Sequence, residues 1–130
     1  MAGATVRMQA KKQKTLQEIH EKIHYTVDAE QISKSVDTVN DVTIWTLAYE
    51  KYYLRTSSYT SLTVVLTEYG EEQRACIVAS GGGAGMVNHS FGANRSFAKA
   101  CAKVLEECGF EVVESDLDMK DTGLLDRIFK

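Results

Sequence analysis

Between Gln31 and Ser80 the chain turns to Val, Ile, Thr, Tyr and Trp, and this stretch limits the fold more than any other feature. β-Branched and aromatic residues lose rotamer freedom in a helix and pack well on a pleated surface. Strands are therefore expected near 31–36, 42–54, 61–69 and 73–80. In 61–69, Leu62, Val64 and Leu66 fall on one side while Thr63 and Thr67 fall on the other, the pattern of a strand with one buried face. Gly70-Glu71-Glu72 is short enough to turn the last two strands into a hairpin, and short connections impose antiparallel pairing.

The flanks of this stretch have a different period. Residues 4–10 alternate, with Ala4, Val6, Met8 and Ala10 on one side, and predict a first strand. Lys11 to Lys14 form a charged connection. Thr15-Leu16-Gln17-Glu18 then reads as a capping box, so a helix starts there, with Leu16, Ile19, Ile23 and Val27 as its apolar stripe. A second helix is expected to open at Asn94 or Ser96 and to bury Phe97, Cys101, Val104, Leu105 and Cys108. Gly109 suits the position that ends it. Phe110 to Glu114 predict a last strand, and Leu124, Leu125, Ile128 and Phe129, after Asp121-Thr122-Gly123, a short C-terminal helix. The whole is an α+β chain. An antiparallel sheet of about five or six strands, with the two main helices on one face, buries every stripe at once.

The length of 130 residues fits a single domain spanning 1–130, with no repeat, linker or low-complexity segment. An apolar fraction of 44% is too high for a disordered chain, and a net charge of −3 argues against nucleic-acid binding through a strong basic field. No window carries the roughly 18 apolar residues of a membrane span. The N-terminus lacks a signal-peptide core. Cys76, Cys101 and Cys108 are odd in number, with no C-x-x-C pair, as expected of reduced thiols in a cytoplasm.

Two motifs carry possible chemistry. His20-Glu21-Lys22-Ile23-His24 reads as H-E-x-x-H, which on a helix places two imidazoles on one face for zinc, with the glutamate as general base. A catalytic zinc needs a third ligand, and the longer pattern fails at Val27 and Glu30. Histidines at the edge of the buried stripe are the favoured reading, and a zinc-dependent hydrolase using His20, His24 and Glu21 is the alternative. The second motif is Gly81-Gly82-Gly83-Ala84-Gly85. It lacks the G-K-S/T of a P-loop and stops short of G-x-G-x-x-G, with its helix expected about ten residues on. A bent connection is favoured. The alternative is an anion, nucleotide or small-ligand site built from Gly81, Gly82, Gly83, Gly85, Asn88, His89, Asn94 and Arg95.

Trp45, Tyr49, Tyr52, Tyr53 and Tyr59 could stack on ring ligands, though strand aromatics more often fill cross-strand packing. Cys101 and Cys108 lie on the apolar stripe and read as core residues. Ser80-Gly81-Gly82-Gly83 after a strand, followed by Phe91-Gly92 leading into a helix, resembles a family of small uncharacterised bacterial proteins described as a domain of unknown function. The resemblance runs from about Val6 to about Phe110. It implies an α+β fold and transfers no activity and no catalytic residues. The leading expectation is a non-enzymatic cytoplasmic domain that binds a protein partner, a second copy of itself as a homodimer, or a small ligand. The sheet edge and the aromatic strand 42–54 are its expected contact surfaces. No cofactor, nucleic acid or membrane is expected.

Overall fold

The structure, a computed structural model, describes residues 4–54, 57–81 and 87–116, with 87–92 described by their backbone alone. Its elements are β1 (Ala4–Lys11), α1 (Leu16–Val27), β2 (Glu30–Val39), β3 (Val42–Tyr53), β4 (Ser58–Tyr69), β5 (Glu72–Gly81), α2 (Val87–Glu107) and β6 (Glu111–Ser115). Among the described residues the strands form one six-stranded sheet in the order β2-β3-β4-β5-β1-β6. Every neighbouring pair is antiparallel. The expected α+β class with an antiparallel sheet is the architecture found. The C-terminal helix expected around Leu124, Leu125, Ile128 and Phe129 lies outside the described residues.

Register follows from burial, because a shift of one residue would turn every buried side chain outward. Val6 stands opposite Ile77 and Met8 opposite Ala75, while Leu62 faces Ala79 and Val64 faces Ile77. All of these are buried. Trp45, Leu47 and Tyr49 of β3 fall opposite Leu66, Val64 and Leu62 of β4 and extend the same buried rows. These strand residues share one core with Leu16, Ile19, Ile23 and Val27 of α1 and with Phe97, Cys101, Val104 and Leu105 of α2.

Local chemistry sets the element ends. Thr15 caps α1: its Oγ1 accepts from the Glu18 amide at 3.1 Å, and Glu18 Oε1 accepts from the Thr15 amide at 3.0 Å. Donation to the Glu18 carboxyl by the Thr15 amide, and then by the Thr15 hydroxyl, holds that carboxyl below its ordinary value. Two-residue turns join β2 to β3 and β4 to β5. Asn40 (φ 54°) stands between β2 and β3, and Gly70 (φ 58°) between β4 and β5. Both residue types tolerate the left-handed backbone that a two-residue hairpin needs.

A Schellman motif ends α2. The Phe110 amide donates to the Leu105 carbonyl at 3.0 Å and the Gly109 amide to the Glu106 carbonyl at 3.0 Å. Gly109 has φ +95°, and a Cβ there would come within 2.6 Å of the Gln13 side chain. The Gly109 stop read from the sequence therefore rests on the backbone conformation, since the exposed end of the Gln13 side chain can swing aside.

The start of α2 departs from expectation. It opens at Val87, not at Asn94 or Ser96. Asn, Ser and Gly in 88–96 have weak helix propensity and mimic a loop in sequence. Tertiary packing overrides them: Ala93, Phe97 and Ala98 are all buried.

Candidate functional site

The histidine pair lies where α1 meets the β2–β3 hairpin. His20 is 8% exposed. Its ring centroid lies 5.5 Å from that of Trp45, and its Nε2 lies 2.7 Å from Oε1 of Gln31 on β2. The same oxygen accepts the Tyr49 hydroxyl at 3.2 Å. An Nε2–H on His20 satisfies that arrangement, and its Nδ1 is then buried without a partner. His24 is exposed, 5.9 Å by ring centroid from His20 and 5.9 Å from Tyr49. Glu21 accepts from Gln17 Nε2 at 3.0 Å on the outer side of the helix. Among the described residues no third His, Cys, Asp or Glu joins the pair as a potential metal ligand. His20 reads as a packing and hydrogen-bonding device that fastens α1 to β2 and β3, with His24 exposed beside it.

Burial governs the neighbouring acids. The Tyr49 phenol is pushed up to about 12 by burial, with the nearby Cys101 thiol adding to the shift. Burial also pushes the Cys101 and Cys108 thiols up. Neither cysteine has the lowered thiol pKa of a nucleophile. Cys101 and Cys108 are buried as expected, and Cys76 is half-buried.

The glycine-rich segment divides. Gly82, Gly83 and Gly85 lie outside the described residues, as do the side chains of Asn88 and His89. Asn88 and His89 sit in the first turn of α2, because that helix opens at Val87. The connection is therefore shorter than the ten residues expected. At its near end Gly81 has φ +114°, and a Cβ there would meet the Tyr59 carbonyl oxygen at 2.8 Å. Asn94 is fully buried and donates from Nδ2 to the Gly81 carbonyl at 3.4 Å. Arg95 is half-buried. For Gly81 and Asn94 the structure gives a packing role: they join the end of β5 to α2.

The aromatic strand also splits by face. Trp45 and Tyr49 are buried, and Tyr53 meets Phe97 edge-on at 6.2 Å. Tyr52 and Tyr59 form an exposed cross-strand pair with centroids 5.1 Å apart. An open depression beside that pair is lined by Asp28, Glu30, Glu50 and Lys51. It holds mainly acids and one lysine.

The two edges of the sheet differ most. β6 is five residues long, carries Glu111 and Glu114, and is bulged where it meets β1. Short length, charge and bulging are the devices that protect an edge from pairing. β2 runs for ten residues, and all but Gln31 are exposed. Ile32, Val36 and Val39 are 56%, 48% and 58% exposed. Its two central charges do not guard the outer side. The Lys34 Nζ lies back over the Trp45 ring, 5.1 Å from the centroid, and Asp37 accepts from Ser35 Oγ at 3.5 Å. The strand was legible in part, as 31–36. Its character was missed, though a signal exists: Ile32 and Val36 fall on one parity and Val39 on the other, so the segment has no single buried face.

A family model described as "Family of unknown function (DUF6054)" matches residues 1–109, which includes β2 and stops short of β6. No curated protein and no solved structure matches the chain.

Proposed function

Since the chain belongs to that family of unknown function, we propose its role from its own surface: a non-enzymatic cytoplasmic domain that takes an extended strand of a partner protein along the outer edge of β2. One observation carries this reading. A ten-residue edge strand is apolar at three exposed positions, its bulge is confined to the Gln31 end, and its two central charges are turned back onto Trp45 and Ser35. Main-chain hydrogen bonds along such an edge supply affinity, and alternate side chains supply selectivity.

The helices support the reading by position. In it, α1 and α2 cover one face of the sheet, and α1 meets β2 at Gln31, short of Val36. Val36 is then uncovered beside its register partner Trp45. The reduced, buried thiols of Cys101 and Cys108 suit a cytoplasmic setting. No helix among the described residues is long and apolar enough to cross a membrane.

The test is a displayed library of ten-residue peptides selected against the chain, with binders mapped by NMR. Strand docking predicts shifts at residues 32–39 and loss of binding in Val36→Lys, which adds a charge to an exposed edge position. Binders that shift residues 87–95 instead would move the site to the start of α2. Phosphate-bearing ligands that shift those residues would do the same.

A further inference from the structure

We propose that the strand docked on β2 is β2 of a second copy, paired antiparallel about a two-fold axis through Val36 to make one sheet across two chains. This rests on the strand-docking reading above and deepens it by naming the partner.

Symmetry restricts the arrangement. Two antiparallel edge strands related by a two-fold must have the axis perpendicular to the sheet. Such an axis keeps each side chain on its own face. Because facing residues share a face and the side-chain period is two, one residue must sit opposite its own copy. Lys34 or Asp37 at the axis would oppose like charges directly, which destabilises a cross-strand pair. An axis at Ser35 would place Lys34 opposite the apolar Val36 of the second copy.

An axis at Val36 removes these conflicts. Val36 then meets Val36 of the second copy, and both continue the row that begins at the buried Trp45. Ser35 falls opposite Asp37 of the second copy, so each carboxylate gains a hydroxyl across the interface. The chain already makes that pairing within itself, Ser35 to Asp37 at 3.5 Å. Lys34 falls opposite Thr38, with its ammonium kept back over Trp45. No direct pair in this register opposes like charges.

The other edge makes the same case by contrast. Val113 on β6 is also exposed, at 59%, but its strand is short and carries two glutamates.

The experiment is light scattering on the wild-type chain over a range of concentrations, with oxidative cross-linking of Val36→Cys beside Val113→Cys and wild type as controls. The controls account for the half-buried native Cys76. The expected result is a dimer mass, a Val36→Cys cross-linked dimer well above both controls, and a dimer constant weakened roughly tenfold or more by Val36→Lys. A monomer at every concentration, with Val36→Cys cross-linking no more than the controls, overturns the proposal. If such a monomer still binds strand peptides at residues 32–39, only the second copy falls and the docking edge stands. A dimer indifferent to Val36→Lys overturns the proposed contact.

Discussion

The Nε2 of His20 lies 2.7 Å from Oε1 of Gln31, and this contact ties α1 to the first turn-proximal residues of the edge strand β2. Tyr49 reaches the same oxygen from β3. One glutamine thus joins three elements at the place where β2 is bulged, between Gln31 and Ser33. Gln31→Leu leaves a histidine N–H and a phenol without their acceptor. The expected loss is about 1–3 kcal/mol, the cost of unsatisfied buried donors. Thermal unfolding measures it, and His24→Ala, at an exposed position, serves as a control with a change within about 0.5 kcal/mol.

Alkaline pH acts through Tyr49. Its phenol is raised to about 12 in the folded chain, against an ordinary value of 10. The folded state therefore holds the proton more tightly. The associated stability is complete below about pH 10 and is lost as pH rises from there toward 12. Denaturant midpoints measured across that window should fall with pH, and Tyr49→Phe should flatten the fall.

Thiol labelling should separate the cysteines. Cys101 and Cys108 are buried with raised thiols, and Cys76 is half-buried. A thiol reagent added to the native chain is expected to modify Cys76 alone, with all three reacting after unfolding. Fast native labelling of Cys101 would contradict the packing of α2 on the sheet.

Gly109→Ala tests the stop of α2. The residue has φ +95°, a backbone conformation that an alanine rarely adopts. A loss of about 1–2 kcal/mol is expected from the left-handed backbone alone. That corresponds to a drop in Tm of roughly several degrees for a chain of this size.

The sequence marks some elements far better than others. Thr15 and Glu18 announce the start of α1 through a reciprocal bond that depends only on neighbours along the chain. Gly109 ends α2 for an equally local reason. The start of α2 could not be read this way, since 88–96 form a helix only because Ala93, Phe97 and Ala98 find a sheet to cover. The same distinction applies to the candidate site. H-E-x-x-H is conspicuous in the sequence, yet His20 makes its bond to Gln31 and lies against Trp45, partners set by tertiary packing. The edge character of β2 depends on strand order. Sequence shows a segment without a buried face, and only the topology shows that nothing among the described residues lies beyond it.

Amide hydrogen exchange resolved residue by residue over 30–39 tests the docking edge most directly. In an antiparallel edge strand, alternate amides point away from the sheet and exchange freely until something pairs with them. A β2 edge that docks a second copy predicts that these outward amides gain protection as the protein concentration rises, while those of β6 do not. Outward β2 amides that stay unprotected at every concentration, and in the presence of every selected strand peptide, would contradict it.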